Sequence, residues 1–375
     1  MPVTGRELRS TLDADGTLEL ALEGVVLEDP GTDEVIVRVE AAPINPSDLL
    51  LMAGPADRQT ARKGGSPDRP TLSLDVPKEA MAGLRGRLGQ SLPTGNEGAG
   101  LVIAAGANAK ALEGKRVAIF GGGMFADYRQ ATARDVVPLP EGASSAEGAA
   151  IFVNPLTALG IVETARKQGH QAMVHTAAAS NVGRMVQKIC NEDGFPVVNI
   201  VRSQEQVDIL RSLGAGHVLN SKDADFRAQL LEAISETGAT VAFDPIGGGT
   251  LGSVIVEAME QAAVRRMTEF SRYGSRAYKQ LYLYGGLDPS PTVLNRMAFG
   301  TGWSVSSWFL TDFLASAGPD GVAPLIGRVL AKLTTTFATH YSGAISLAEA
   351  LDPQVFHKYA RVSTSEKYLI DPTRG

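Results

Sequence analysis

From about residue 154 onward, short apolar runs alternate with stretches of helical period, and no other feature restricts the fold of this chain as strongly. The pattern predicts a helix over 156–167 stopped by Gly169, an apolar strand over 172–176, and a helix over 182–190. A strand over Val197–Val201, a helix over 204–213 stopped by Gly214, and a strand over 218–220 follow. Helices over 225–236 and 254–263 flank a strand over 241–244, and a further strand covers 280–284. Strands separated by helices return by crossovers, which builds a parallel sheet with helices on both faces. Such open sheets bind ligands beyond the carboxyl ends of their strands.

The first 140 residues read differently, as short β segments divided by Gly, Pro and Asp. Val35, Val37 and Val39 alternate within 34–40, and further segments cover 100–105 and 116–120. A β-rich unit ahead of an α/β unit suits 375 residues, because single cores stop growing at roughly 250–300 residues. Between 54 and 94 lies a stretch rich in Pro, Gly and basic residues, including Arg62, Lys63, Arg85 and Arg87. It reads as an insertion with one short helix near 77–88: a solvated surface excursion, with an active-site lid as the alternative. Residues 265–278 form a second irregular excursion.

Composition removes several classes of function. With 35 Lys+Arg against 41 Asp+Glu, the net charge is −6, and no basic run gathers to meet a phosphate backbone. Nucleic acid is therefore not an expected partner. No run reaches the ~18 uninterrupted apolar residues of a membrane helix. Residues 1–10 lack an apolar core and a cleavage pattern, so the expectation is a cytoplasmic protein. The single cysteine, Cys190, rules out an intramolecular disulfide, a Cys-rich zinc site and an iron–sulfur cluster.

Three local features converge on a dinucleotide. Ala177-Ala178-Ala179-Ser180-Asn181-Val182-Gly183 sits between a strand and a helix. Its small side chains let backbone N–H groups approach a pyrophosphate at the helix N-terminus, although they equally suit close packing. The usual G-x-G-x-x-G is reduced to Gly183. Nineteen positions on, Arg202 and Ser203 close the next strand. An acid there would take the ribose hydroxyls of NAD, whereas arginine beside a hydroxyl suits a 2′-phosphate; a solvated strand-end arginine is the structural alternative. The last feature is a pair of Gly-rich strand exits, Asp244-Pro245-Ile246-Gly247-Gly248-Gly249 and Tyr284-Gly285-Gly286-Leu287.

These residues resemble the medium-chain dehydrogenase/reductase superfamily, in its zinc-free NADPH:quinone oxidoreductase and enoyl reductase branch. The likeness runs through Ala41-Ala42-Pro43-Ile44-Asn45-Pro46-Ser47-Asp48, Gly95-Asn96-Glu97-Gly98-Ala99-Gly100, Asn154-Pro155-Leu156-Thr157-Ala158 and Leu213-Gly214-Ala215. It implies a GroES-like β-rich catalytic domain over 1–148, completed by 312–375, and a Rossmann domain over 149–311 that binds NADPH. Asn154 and Thr157 would lie near the nicotinamide, and Ser180, Asn181, Val182 and Gly183 would meet the pyrophosphate. Arg202 and Ser203 would meet the 2′-phosphate, with Asp244, Gly285 and Gly286 completing the cofactor site. In zinc-dependent relatives a cysteine and a histidine hold the metal; this chain has Asn45 and Asn96 at those places, so no metal site is expected. The resemblance also implies a homodimer joined through sheet edges, with 302–309 as the candidate edge strand.

The activity implied is hydride transfer from NADPH to a quinone, with Asn45 as the catalytic hydrogen-bond donor. The alternatives are reduction of α,β-unsaturated ketones, aldehydes or enoyl thioesters, and, more remotely, a non-catalytic NADPH-binding sensor. Enoyl-thioester reductases place a tyrosine shortly after Asn-Pro-Ser-Asp, where this chain has Leu49-Leu50-Leu51-Met52. His175 reads as a hydrogen-bonded core residue, and His170, His217, His340 and His357 form no catalytic pattern. Cys190 reads as packing. Tyr273, Tyr278, Tyr282 and Tyr284 are all candidate proton donors among which the sequence does not choose.

Overall fold

The computed structural model describes residues 2–361 and 367–374. These divide into two compact units, Met1–Val153 with Leu330–Gly375, and Asn154–Val329.

The first unit is built from antiparallel strands. A five-stranded sheet, ordered β4-β5-β2-β1-β6, comprises β1 (Val3–Leu12), β2 (Thr17–Leu27), β4 (Asp57–Gly65), β5 (Pro70–Asp75) and β6 (Leu92–Pro93). A second sheet takes β3 (Glu34–Pro43), β7 (Glu97–Ala105), β8 (Arg116–Phe120), β9 (Tyr128–Thr132) and β10 (Val136–Pro138). Alternation places Leu18, Leu20 and Leu22 of β2, and Val35, Val37 and Val39 of β3, in one hydrophobic core. Short helices α1 (Pro46–Met52), α2 (Lys78–Met81) and α3 (Ser145–Gly148) fill the connections.

The 55–93 segment departs from the expected surface excursion. Its β4 and β5 extend the first sheet, with Leu72 opposite Leu20 and both fully buried. Leu72 and Leu74 alternate among polar residues, and that short β period is masked by the surrounding glycines and charges. The helix expected near 77–88 is one turn of α2 followed by a 3₁₀ segment, Ala82–Arg87.

The second unit is the anticipated doubly wound sheet. Its strands are β11 (Met173–His175), β12 (Val197–Val201), β13 (His217–Asn220), β14 (Val241–Asp244), β16 (Lys279–Leu283) and β18 (Trp303–Ser307). All pair in parallel, in the order β13-β12-β11-β14-β16-β18. The order reverses between β11 and β14, which opens a crevice at their carboxyl ends. Crossovers run through α4 (Val153–Lys167), α5 (Asn181–Asp193), α6 (Gln204–Ser212), α7 (Phe226–Thr237) and α8 (Leu251–Arg265). Beyond the ends of β14 and β16, β15 (Gly247–Gly249) and β17 (Asp288–Thr292) form a small separate ladder. The 265–278 excursion is tied down by Glu260, which accepts from Ser275 N at 2.6 Å and pairs with the buried Lys279 ammonium.

Helix α9 (Leu310–Ala331) bends at Gly318, where φ is +65°. The second unit continues to Val329, beyond the expected limit of 311. Local packing explains this: Phe313 lies 5.9 Å from Trp308, and Arg328 pairs with Glu192 and Asp193 on α5. The chain then returns to the first unit through β19 (Gly343–Ile345), α10 (Pro353–Tyr359) and β20 (Tyr368–Ile370), which add β20 and β19 beside β3. Among the described residues one helical stretch, Ser145–Lys167, is long and apolar enough to cross a membrane, and 83% of its apolar window is buried inside the protein.

Candidate active site

In the β-rich unit the Asn45 turn is the centre of a buried polar network. Asn45 caps α1, and Pro46 follows at the first helical position, where a fixed φ suits a helix start. The Asp48 carboxylate accepts from Asn45 N and from Asn96 N, each at 2.7 Å, so it joins the α1 turn to the strand entry at β7. The Asn45 carboxamide is held at both ends. Its Oδ1 accepts from Lys367 Nζ at 2.8 Å, and its Nδ2 donates to Glu97 Oε1 at 2.9 Å. The other Glu97 oxygen accepts from Phe152 N and Val153 N at 3.0 Å. A carboxamide carries two Nδ2 hydrogens, and Glu97 takes one of them.

Water is excluded from this cluster, and its electrostatics follow. Asn45, Asp48 and Glu97 are 1%, 2% and 0% exposed. Burial raises Asp48 to about 7, against the two backbone N–H groups that favour its anion. Burial also raises Glu97, opposed by the Lys367 ammonium, and lowers Lys367, opposed by Glu97 and Asp48. Two acids beside one cation therefore favour one proton retained on the acid side.

A zinc ion does not fit these residues. Asn45 and Asn96 offer neutral amides, and the Asn45 oxygen is already occupied by an ammonium that would repel a divalent cation. Among the described residues no group of three His, Cys, Asp or Glu is placed to hold a metal.

In the α/β unit the residues expected around a pyrophosphate come together at the β11–α5 turn. Ala177 has a φ of +46°, a left-handed conformation unusual for a residue with a side chain. Ser180 caps α5, its Oγ accepting from Gly183 N at 3.2 Å. A Cβ at position 183 would lie 2.2 Å from Ala178 O, so only glycine lets the helix start this close to the turn. Asn181 and Val182 occupy the first helical positions, and the N-terminus of a helix is electrostatically suited to an anion. At the end of β12, Arg202 is exposed and Ser203 caps α6. Sequence reasoning passed over Arg184, whose Nε donates to Ala179 O at 2.8 Å and adds a cation to this turn.

Other expected cofactor residues take more specific places. Asn154 and Thr157 are buried and lie three apart near the start of α4, on one helix face. Asp244 is 1% exposed, and its oxygens accept from Thr176 Oγ1, Ile246 N and Gly247 N. It shapes its own loop, because a buried carboxylate must satisfy its acceptors locally. A Cβ at Gly285 would meet Pro245 O at 2.6 Å, so this glycine packs two strand exits together, whereas Gly286 faces open space.

The other candidates separate on their partners. Burial pushes the Cys190 thiol up to about 12, so it is no nucleophile. His170 bonds Thr240 Oγ1 at 2.7 Å, and buried His175 bonds Tyr284 Oη at 2.8 Å. Tyr278 Oη meets Gln280 and Ser304, and Tyr282 Oη accepts from Gln168.

Comparison with known proteins agrees with this geometry. Residues 31–141 match the alcohol dehydrogenase GroES-like domain, and residues 181–263 match the family described as zinc-binding dehydrogenase. The chain is an oxidoreductase of the medium-chain dehydrogenase/reductase superfamily, on its quinone oxidoreductase and enoyl reductase branch. It is 29% identical over 264 residues to a probable quinone oxidoreductase of Leishmania amazonensis, covering 69% of this chain and 75% of that protein. It is 29% identical over 213 residues to the mitochondrial enoyl-[acyl-carrier-protein] reductase of Xenopus tropicalis, covering 54% of this chain and 52% of that protein. Among solved structures, one from Mesorhizobium loti, provisionally assigned as an NADPH:quinone reductase, superposes with a TM-score of 0.71 at 26% identity over 99% of both chains.

Proposed function

We propose that the protein reduces quinones at the expense of NADPH, without a metal. The balanced reaction is quinone, NADPH and one proton giving hydroquinone and NADP⁺, with the cofactor supplying the hydride. The observation that carries the cofactor half is Arg202: in a sheet of this order, the residue closing the strand after the phosphate turn meets the adenosine ribose. A guanidinium there matches a 2′-phosphate and leaves NAD without a carboxylate for its ribose hydroxyls. Ser180, Asn181, Val182 and Gly183 would hold the pyrophosphate, and Ser203 would assist at the 2′-phosphate. Asn45, fixed by Lys367 and Glu97, would donate its remaining Nδ2 hydrogen to the acceptor oxygen as negative charge develops.

Reduction of conjugated enones or enoyl thioesters is the second reading, favoured by the Xenopus relative. Against it, α1 carries Leu49, Leu50, Leu51 and Met52 where enoyl-thioester reductases place their tyrosine, so that phenol is not available here to protonate a substrate carbon. A quinone needs none, because its reduced oxygens take protons from solvent. The same reading has two copies joining at the free edge strand β18, beside the exposed Phe309 and Met297.

The test is loss of 340 nm absorbance with NADPH or NADH, using benzoquinone, an enone panel and crotonyl thioester, in EDTA. Turnover of benzoquinone that prefers NADPH and survives EDTA is expected. Turnover confined to the enoyl thioester would select the second reading, and loss in EDTA would contradict both. Tight NADPH binding without turnover of any acceptor would identify a sensor.

A further inference from the structure

The excursion over 265–278 has no part in the chemistry proposed above, and its composition sets it apart. Arg265, Arg266, Arg272 and Arg276 against Glu269 alone give it a charge of +3, in a chain whose net charge is −6. Exposed hydrophobic side chains gather on the same stretch. Of the ten large ones that stand exposed among the described residues, four lie just before it or within it: Val264, Phe270, Tyr273 and Tyr278. Phe270 is 94% exposed. Scattered surface hydrophobics need no explanation, whereas a cluster of them marks a contact face.

The tip of this excursion is presented from a fixed base. Gly274 N closes a turn on Ser271 O at 3.2 Å, and Ser275 is then held from two sides. Its N–H donates to Glu260 of α8 at 2.6 Å, and its carbonyl accepts from Thr301 N and Oγ1 at 3.2 and 3.0 Å. Glu260 is buried and pairs with the buried Lys279 ammonium. Gly274 and Gly300 crowd it so closely that a Cβ at either would strike its carboxylate. The arginines divide in two. Arg265 pairs with Glu232 and Arg266 donates to Ser235 O, so both are held against α7. Arg272 lies over the Tyr273 ring at 4.7 Å; it and Arg276 are exposed, and neither has a carboxylate partner among the described residues.

Two cations without counter-ions, beside an exposed phenylalanine and tyrosine, suit a partner that is anionic and apolar at once. An acidic protein would also need a preformed pocket for Phe270, because no groove of this chain surrounds that ring. A lipid bilayer needs no matching pocket: its headgroup region takes aromatic rings, and anionic headgroups take arginines. The excursion follows α8 and precedes β16, which puts it at the amino edge of the sheet. The crevice between β11 and β14 lies at the carboxyl edge, so contact at the excursion leaves it open. We propose that the 265–278 excursion is a peripheral membrane anchor, in which Phe270 and Tyr273 enter the headgroup region of a bilayer and Arg272 and Arg276 meet its anionic lipids. One loop of this size gives a weak, reversible attachment that salt opposes.

Flotation of the full chain with lipid vesicles tests this. Vesicles of phosphatidylcholine with phosphatidylglycerol as the minor component should bind the protein at low salt. Vesicles of phosphatidylcholine alone should not, and about 0.5 M salt should release the bound protein. Phe270→Ser should weaken binding about tenfold, the scale of one aromatic ring partly withdrawn from water. Arg272→Ser with Arg276→Ser should weaken it about thirtyfold, at roughly fivefold for each cation lost. All these side chains are exposed, so both variants should keep the wild-type melting temperature, which separates lost binding from lost folding. Absence of binding to the phosphatidylglycerol vesicles, equal binding to both vesicle types, or binding that the variants leave intact overturns the proposal. Sedimentation velocity without lipid supplies the remaining outcome. If Phe270→Ser halves the mass of the wild-type particle, the excursion is an interface between copies of this chain, and the membrane reading falls.

Discussion

Lys367 Nζ donates to Asn45 Oδ1 at 2.8 Å across 322 positions of sequence, and this contact puts an ammonium on the residue that stands where the family resemblance sets a zinc-ligating cysteine. The substitution is chemically coherent. A fixed cation polarises the Asn45 amide through its oxygen, which makes the Nδ2 hydrogens better donors. It also neutralises part of the Glu97 and Asp48 charge, so the cluster can remain buried without a metal.

Replacing Lys367 with Met should therefore be severe. It leaves the Glu97 carboxylate and the Asn45 oxygen without their cation, and removal of one partner from a buried pair costs about 3–5 kcal/mol. Urea denaturation at pH 7.5 should show that loss. The Lys367→Met, Glu97→Gln double variant should recover part of it, because the orphaned charge is gone; strictly additive losses would deny the coupling.

Asn45→Ala should lower turnover on the order of 10²-fold, the scale of one donor to a developing oxyanion, with little change in NADPH affinity. Stopped-flow measurement of NADPH oxidation separates the two quantities. A variant with undiminished turnover would leave Asn45 as a purely structural bracket between Lys367 and Glu97.

Asp48 should make stability fall with rising pH. Its native pKa, about 7, lies above the ordinary value of 3.8, so between those limits the native state holds a proton that the unfolded chain has released. Unfolding free energy then falls with pH by about 1.4 kcal/mol per unit from this group alone, and the slope vanishes above 7. Denaturation curves from pH 4.5 to 8 on wild type and Asp48→Asn should differ by that slope. Parallel curves would place the titration elsewhere.

Arg202→Ala should reduce the preference for NADPH over NADH by about tenfold, the equivalent of one charge-assisted hydrogen bond. The change should appear in the KM for NADPH and leave that for NADH nearly untouched. Equal effects on both cofactors would show that Arg202 acts through the α6 cap and not through the phosphate.

The α/β unit was legible because its signals are local. An apolar run and a helical period each occupy a few consecutive residues, and a crossover connection forces parallel pairing, so the strand–helix order from 172 to 284 translated into the sheet nearly residue for residue. The β-rich unit was less so: β4 and β5 hide a short alternation of buried leucines among glycines and charges, and their membership of a sheet depends on β2, distant in sequence. The site divides on the same line. Gly183 and Ser180 could be placed at a helix start, and Arg202 at a strand end, because both are local events. Asn45 and Glu97 were visible as motif residues, but the ammonium that holds the Asn45 oxygen comes from the far end of the chain, in a segment with no pattern of its own. Sequence alone determined the kind of sheet and the position of the turn between β11 and α5. Only the tertiary structure decided which groups neutralise the buried carboxylates, because that depends on desolvation and on partners brought together by folding.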